Sequence, residues 1–240
     1  YGPGQSLLIE PIANFAISPN GVNDERIPNE DSQVLEFSDT NLFSYNRFPG
    51  YDLIETGPRA NIGMRSQWQF SSNKYLSFLV GQNWQANEDN GFPFTNDVND
   101  HFSDYIGRVA LDWDGWLTTA YRTRIDRAEL DTRRNEVNAS ISLDPVYLNV
   151  DYLALNDDPY LTDREEILAN AAYALDENWT VLAGTRRDLD QGQMLSSNAG
   201  LRYNDECFGV SAIFARDLIR DRDIEPSSSF MVRVTLKNLN

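Results

Sequence analysis

The chain has 240 residues, enough for one large domain or two small ones, with 41% hydrophobic residues and a mean hydropathy of -0.50. No apolar run approaches the ~18–20 residues of a membrane helix, which excludes helical spans but not membrane barrels, whose lumen and loop residues dilute the hydropathy. A net charge of -17 excludes the basic footprint that nucleic-acid binding needs, so no nucleic-acid partner is expected.

Residues 5–18 alternate polar and apolar, the pattern of a half-buried strand. The alternation then stops for the long stretch 19–56, which carries Ile27-Pro28-Asn29-Glu30-Asp31-Ser32, Asp39-Thr40-Asn41-Leu42-Phe43 and Asn46-Arg47-Phe48-Pro49-Gly50-Tyr51-Asp52. A connection this long is functional or disordered. Its aromatic content argues against disorder. The stretch is expected to fold onto the rest of the chain, with Phe43, Phe48 and Tyr51 as anchors.

Period two then returns and dominates. Strands are expected at 57–71, 74–85, 103–114, 115–127, 132–144, 145–157, 163–176, 177–188, 192–203, 206–217 and 227–239, making about twelve with 5–18. Segment 163–176 is alanine-rich, which favours helix by propensity, yet Ile167, Ala169, Ala171, Tyr173 and Leu175 line one strand face. The connections alternate short and long, so every second strand end faces the same side. That is the rule of a transmembrane up-and-down β-barrel with tight turns at one end and long outer loops at the other. Segments of this length also suit a tilted spanning strand of ~9–11 residues. Trp68, Tyr75, Trp179, Tyr203 and Phe208 lie near the short turns, as interfacial girdles would place them. The fold class expected is all-β, an antiparallel barrel wall.

Cationic side chains are costly on a lipid face, so the polar faces are expected to line a wet lumen. The candidates there are Arg59, Asn61, Arg65, Gln67, Arg122, Arg124, Arg202 and Arg233. The charges of the arginines suit pairing with phosphate or with lumen acids that hold the long loop in place. The acidic connections read as solvated loops or as divalent-cation sites, and no spacing matches a calcium loop. His101 is the only histidine. Asp100, Ser103 and Asp104 beside it are ordinary loop neighbours rather than a catalytic set. No enzyme activity, cofactor or metal is expected. No leader-like segment opens the chain, and Tyr1-Gly2-Pro3-Gly4 reads as the middle of something, so a mature chain or a fragment is expected.

The motifs of 19–56, with Ile9-Glu10-Pro11, Arg59-Ala60-Asn61, Met64-Arg65, Glu206-Cys207-Phe208 and Arg216-Asp217…Asp223-Ile224-Glu225-Pro226, resemble the C-terminal half of the barrel in the LptD family of lipopolysaccharide-assembly proteins. Family barrels are very large, with about 26 strands closing first to last. The resemblance implies one domain over 1–240, the C-terminal part of an outer-membrane barrel, with 19–56 as a long outer loop folded into the lumen. It implies a translocon of the bacterial outer membrane that inserts lipopolysaccharide into the outer leaflet through a lateral opening. Its partners would be lipopolysaccharide, an LptE-like plug lipoprotein, the periplasmic lipopolysaccharide-transport bridge and outer-membrane lipids. Family members carry a vicinal cysteine pair near the last strands. Here Glu206 replaces the first and Cys207 matches the second, leaving a single disulfide to an upstream cysteine or a free thiol. Segment 227–239 would be the seam strand, with Phe230, Val232, Val234 and Leu236 facing lipid. The alternative readings are a complete 12-stranded pore or adhesin, and a soluble β-sandwich.

Overall fold

The computed structural model describes residues 4–19, 23, 26, 28–32, 37–86, 101–156, 162–219 and 225–237. Among these there is no helix. The strands are β1 (Ser6–Ser18), β2 (Gly57–Ser71), β3 (Lys74–Gln85), β4 (Tyr105–Trp113), β5 (Leu117–Ile125), β6 (Thr132–Leu143), β7 (Val146–Leu155), β8 (Arg164–Ala174), β9 (Trp179–Asp188), β10 (Gln193–Asn204), β11 (Phe208–Asp217) and β12 (Ser227–Leu236). They form one twelve-stranded sheet in sequence order, β1 to β12. The fold is all-β, antiparallel and up-and-down. β1 and β12 end the order and do not pair with each other.

The observed strands match the sequence periodicity to within a few residues at their ends, where strands fray. β8 is the informative case. Its alanines favour helix in isolation, but Ala169 pairs with Thr185 and Ala171 with Ala183 across β9. Ladder pairing overrides a weak propensity. The short turns lie between β2 and β3, β4 and β5, β6 and β7, β8 and β9, and β10 and β11. The expected long connections at 86–102 and 157–163 lie largely outside the described residues, as do residues 20–22, 24, 25, 27, 33–36 and 220–224.

Many described acids at strand ends have a local task. Asp126 accepts the N–H groups of Ala128 and Glu129, Asp176 those of Asn178 and Trp179, and Asp205 those of Cys207 and Phe208. These are Asx-type turns that satisfy backbone donors the ladder leaves open. The Glu129 N–H first, with that of Ala128, holds the Asp126 carboxyl below the ordinary carboxylate range. The N–H groups of Phe208 and then Cys207 do the same for Asp205.

By contact the chain divides into two compact units. The first comprises Tyr1–Leu111, Ala120–Asn135 and Leu155–Asp163. Its sheet has two unlike faces. On one, Leu7, Ile9, Phe15, Ile17, Ile62, Met64, Phe78, Val80 and Trp84 are exposed although apolar. On the other, register aligns Glu10 with Arg65, Asn14 with Asn61, and Asn61 with Asn83. The buried core of this unit, Phe37, Leu42, Phe48 and Ile106, lies on the polar face beneath the loop, with Phe43, Leu53 and Leu79 packed against it.

The second unit comprises Asp112–Thr119, Glu136–Ala154 and Arg164–Asn240. Phe208, Val210, Ala212 and Phe214 of β11 pair with Leu236, Val234, Val232 and Phe230 of β12 on one face. All four of these β12 side chains are exposed. Trp179, Tyr203 and Phe208 stack in series beside the short turns, with ring centroids 4.9 and 5.5 Å apart.

Candidate functional site

The site is the polar face of the first unit and the loop seated on it. Three pieces of sequence build it, and each has a separate physical role.

The first role is to close the loop on itself. Asp31 accepts the N–H groups of Tyr51 (2.9 Å) and Asp52 (3.1 Å), while Asp52 accepts those of Glu30 (2.8 Å) and Asp31 (3.2 Å). Two separated motifs thereby become one clasp. Gly50 is required there, because a Cβ at that position would lie 2.1 Å from the Asp31 carboxyl carbon. The N–H groups of Tyr51 and then Asp52 hold the Asp31 carboxyl below its ordinary range.

The second role is to let the loop approach the sheet. Gly63 of β2 stands opposite Gly81 of β3. A Cβ on Gly63 would come within 2.7 Å of the Phe43 ring, and one on Gly81 within 2.6 Å of a Leu42 methyl. The two glycines make a window in the layer of side chains, and Leu42-Phe43 lies over it. Glycine inside a strand commonly marks such a close approach. Asn14 of β1 fixes the segment by donating to the Phe43 carbonyl at 2.9 Å.

The third role is electrostatic. Glu55 is fully buried and receives Arg47, through Nε at 2.9 Å and through Nη2, together with Arg59 at 3.4 Å. Arg47 lies 5.1 Å over the Phe37 ring, a cation–π contact. Arg59 also donates to the carbonyls of Glu55 and Tyr45. Asp39, at the tip of the loop, sits between Arg108 of β4 (3.5 Å) and Arg122 of β5 (3.3 Å). Asp104 takes Arg124 and Arg133, each at 3.4 Å. Buried charges persist only when paired and hydrogen-bonded. Through Glu55 and Asp39 the loop therefore supplies carboxylates to guanidinium groups of the face beneath it.

The residues singled out from the sequence fall into distinct groups. Arg59, Arg122 and Arg124 belong to the ion pairs just described. Asn61 is buried and accepts from Asn83 at 2.6 Å. Arg65 pairs with Glu10 at 3.2 Å, both about half exposed, and with Gln67 borders a cleft on the polar face. Arg202 and Arg233 lie in the second unit, exposed, in one cross-strand row with Ser211 between them. Phe48 is buried and Phe43 packs against the core.

Tyr51 is a correction. It is 97% exposed, so it anchors nothing among the described residues. Its backbone N–H, rather than its ring, makes the contact with Asp31. Cys207 is exposed in the turn between β10 and β11. Ser103, singled out only as a neighbour of His101, accepts the Asn83 N–H and donates to the Asp104 carbonyl. His101 Nδ1 lies 3.0 Å from the Gln85 carbonyl. These contacts are structural.

Sequence reasoning missed Asp39, Glu55 and the glycine pair as the parts that seat the loop. The glycines had a legible signal, since they stand at mirrored distances from the Ser72–Asn73 turn, offset by the bulge between Gln69 and Ser71.

Comparison with known proteins agrees with this architecture. Residues 2–206 match the family model described as LptD, LPS transport system D. The chain is similar to the LPS-assembly protein LptD of Psychrobacter arcticus, at 24% identity over 98% of the chain and 26% of that protein. It is also similar to that of Psychrobacter cryohalolentis, at 25% identity over 98% of the chain and 24% of that protein. The LPS-assembly protein LptD of Escherichia coli K12 is 21% identical over 90% of the chain and 30% of its own length. The chain thus spans less than a third of the relatives it matches.

Proposed function

Because the chain belongs to the LptD family, we propose that it is the C-terminal wall of an outer-membrane barrel that delivers lipopolysaccharide to the outer leaflet. The observation that carries this reading is the division of the first unit's sheet into an exposed apolar face and a polar face covered by its own loop. In lipid, backbone groups must be satisfied internally and only closed barrels or helices span. An apolar outer face over β1–β3 and β10–β12, with aromatic stacks beside the short turns, suits a bilayer. The polar face then lines a lumen that admits the sugar head, while acyl chains stay outside.

In this reading residues 1–240 act as one domain in the bacterial outer membrane. The reading assigns the chain transport and no catalytic step. Arg65, Gln67, Arg202 and Arg233 are the lumen groups available to substrate, whereas Arg59, Asn61, Arg122 and Arg124 serve the wall and its loop. An LptE-like plug and the periplasmic lipopolysaccharide bridge are the partners that family membership suggests.

β12 serves as the seam. It ends the sheet order, and an unpaired edge in hydrocarbon costs several kcal/mol per unsatisfied group, so it closes on a strand of the longer protein. Cysteines placed on β12 and on the first strand of the full-length barrel test the lateral opening. Crosslinking them should stop lipopolysaccharide delivery in cells while the barrel stays folded. Undiminished delivery with the seam fully crosslinked removes the lateral gate from β12.

Cys207, in an exposed periplasmic turn, is proposed to bond an upstream cysteine in an oxidising compartment. Cys207→Ser should then abolish a mobility difference on non-reducing gels of the full-length protein. An unchanged pattern assigns a free thiol.

A further inference from the structure

Beside the seated loop the polar face opens into a cleft of about 490 Å³, bordered by Asp39, Arg65, Gln67, Tyr75, Ser77 and Arg108 among others. That volume falls within the range of about 300–1,000 Å³ of small-ligand pockets. Arg65 shares its charge with Glu10, and the buried contact between Asp39 and Arg108 leaves polar atoms unsatisfied. Asp39 is one carboxylate for two guanidinium groups, those of Arg108 and Arg122. Asp39 Oδ1 and Arg108 Nε are buried, yet neither has a hydrogen-bond partner among the described residues. Their 3.5 Å approach is Coulombic contact without donor alignment. Arg65 is half exposed, and the Gln67 carboxamide and Tyr75 hydroxyl at the rim have no hydrogen-bond partner among the described residues. Forked cations beside neutral donors and acceptors, in a concave site, form a receptor for a phosphate carried on a sugar.

Resting on the transport reading above, we propose that this cleft binds a phosphorylated sugar of the glycolipid, and that Asp39 is the built-in anion which the phosphate displaces. Arg65 and Arg108 take the phosphate, and Gln67 and Tyr75 take sugar hydroxyls. Substrate phosphate and the loop carboxylate compete for the Arg108 guanidinium. Arrival of substrate therefore loosens one of the ion pairs that hold the loop.

The test uses full-length protein in detergent with a photo-crosslinking residue, Ser77→p-benzoylphenylalanine, irradiated with purified lipopolysaccharide. Labelling is expected. It should fall by about tenfold or more with Arg108→Ala or with enzymatically dephosphorylated lipopolysaccharide, the loss expected for one charged hydrogen bond. Arg108→Lys should retain part of it, and Asp39→Asn should raise it by removing the competing carboxylate. The dephosphorylated substrate is compared on the same labelled protein and needs no further variant, so a folding defect cannot produce a difference between the two substrates. Equal labelling by both lipopolysaccharides, or reduced labelling with Asp39→Asn, overturns the proposal. Displacement by inorganic phosphate at concentrations comparable to lipopolysaccharide would assign the cleft to free phosphate, and also overturns it. Labelling at Ser211 with none at Ser77 rejects the cleft alone. No labelling at either position rejects the transport reading with it.

Discussion

Asp31 and Asp52 each accept the backbone N–H of the other, at 3.1 and 3.2 Å. Neither side chain touches the sheet in this exchange. Its effect is to fix the shape of a loop that the sheet then receives, and whose Phe37, Leu42 and Phe48 supply most of the buried core.

The clasp depends on pH with a definite sign. The folded Asp31 carboxyl is held below its ordinary value, by the Tyr51 N–H first and then that of Asp52. Its contribution is complete above the unfolded value of about 3.9 and is lost as pH falls through the lower folded one. Protease cleavage near Pro49 in the membrane-embedded full-length protein should therefore stay low at neutral pH and rise in acid. Asp31→Asn should raise cleavage at neutral pH and flatten the profile. A profile identical to that of the native protein would exclude the clasp as its origin.

Gly63→Ala or Gly81→Ala should unseat Leu42-Phe43. The cost expected for forcing a side chain into packed space is about 1–3 kcal/mol. The β2–β3 ladder should also give locally, since the new Cβ would come within 2.6 Å of the Val80 carbonyl from position 63, or 2.9 Å of the Ile62 carbonyl from position 81. Cysteine accessibility at the neighbouring position 44 (Ser44→Cys), which leaves Leu42 and Phe43 in place, reports the seat. Accessibility unchanged by either glycine substitution would mean that the loop has a second footing.

Glu55→Ala removes the carboxylate shared by Arg47 and Arg59, both nearly without solvent access. Removing one partner of a buried ion pair costs about 3–5 kcal/mol. Heat-modifiable migration on gels should show the barrel opening at lower temperature. Arg47→Met combined with Glu55→Leu should recover part of the loss, because apolar replacements remove the buried Arg47 charge as well. A loss in the double variant as large as in Glu55→Ala would place the effect elsewhere.

Phe48→Ala and Tyr51→Ala should differ sharply although only three positions separate them. Phe48 is 6% exposed and its truncation should cost about 3–5 kcal/mol. Tyr51 is 97% exposed, and its loss should stay within about 0.5 kcal/mol. The same gel assay distinguishes them, and a Tyr51→Ala variant as impaired as Phe48→Ala would show a ring contact supplied by another part of the longer protein.

The strands were legible because a period of two is a local property, and even alanine-rich β8 kept it. The loop was legible as a folded segment through its aromatic content, but its mode of attachment was not. Asp39 meets Arg108 and Arg122 across most of the unit's length in sequence, and alternation says which face a residue occupies without saying what covers that face. Composition also treats Phe48 and Tyr51 alike. What separates them is tertiary packing, since Phe48 joins Phe37, Leu42 and Ile106 while Tyr51 is exposed, and these loop motifs carry no periodic signal.

Pairing of every strand with its sequence neighbour also orders events in time. Hairpins with short connections close early, since loop closure is cheapest there. The seat of the long loop does not exist until Gly63 and Gly81 have come opposite each other. Segment 37–53 is therefore a latecomer to assembly, obliged to wait for a hairpin that follows it in the chain. Pulsed hydrogen exchange during refolding into detergent should find β2 and β3 amides protected before that of Leu42.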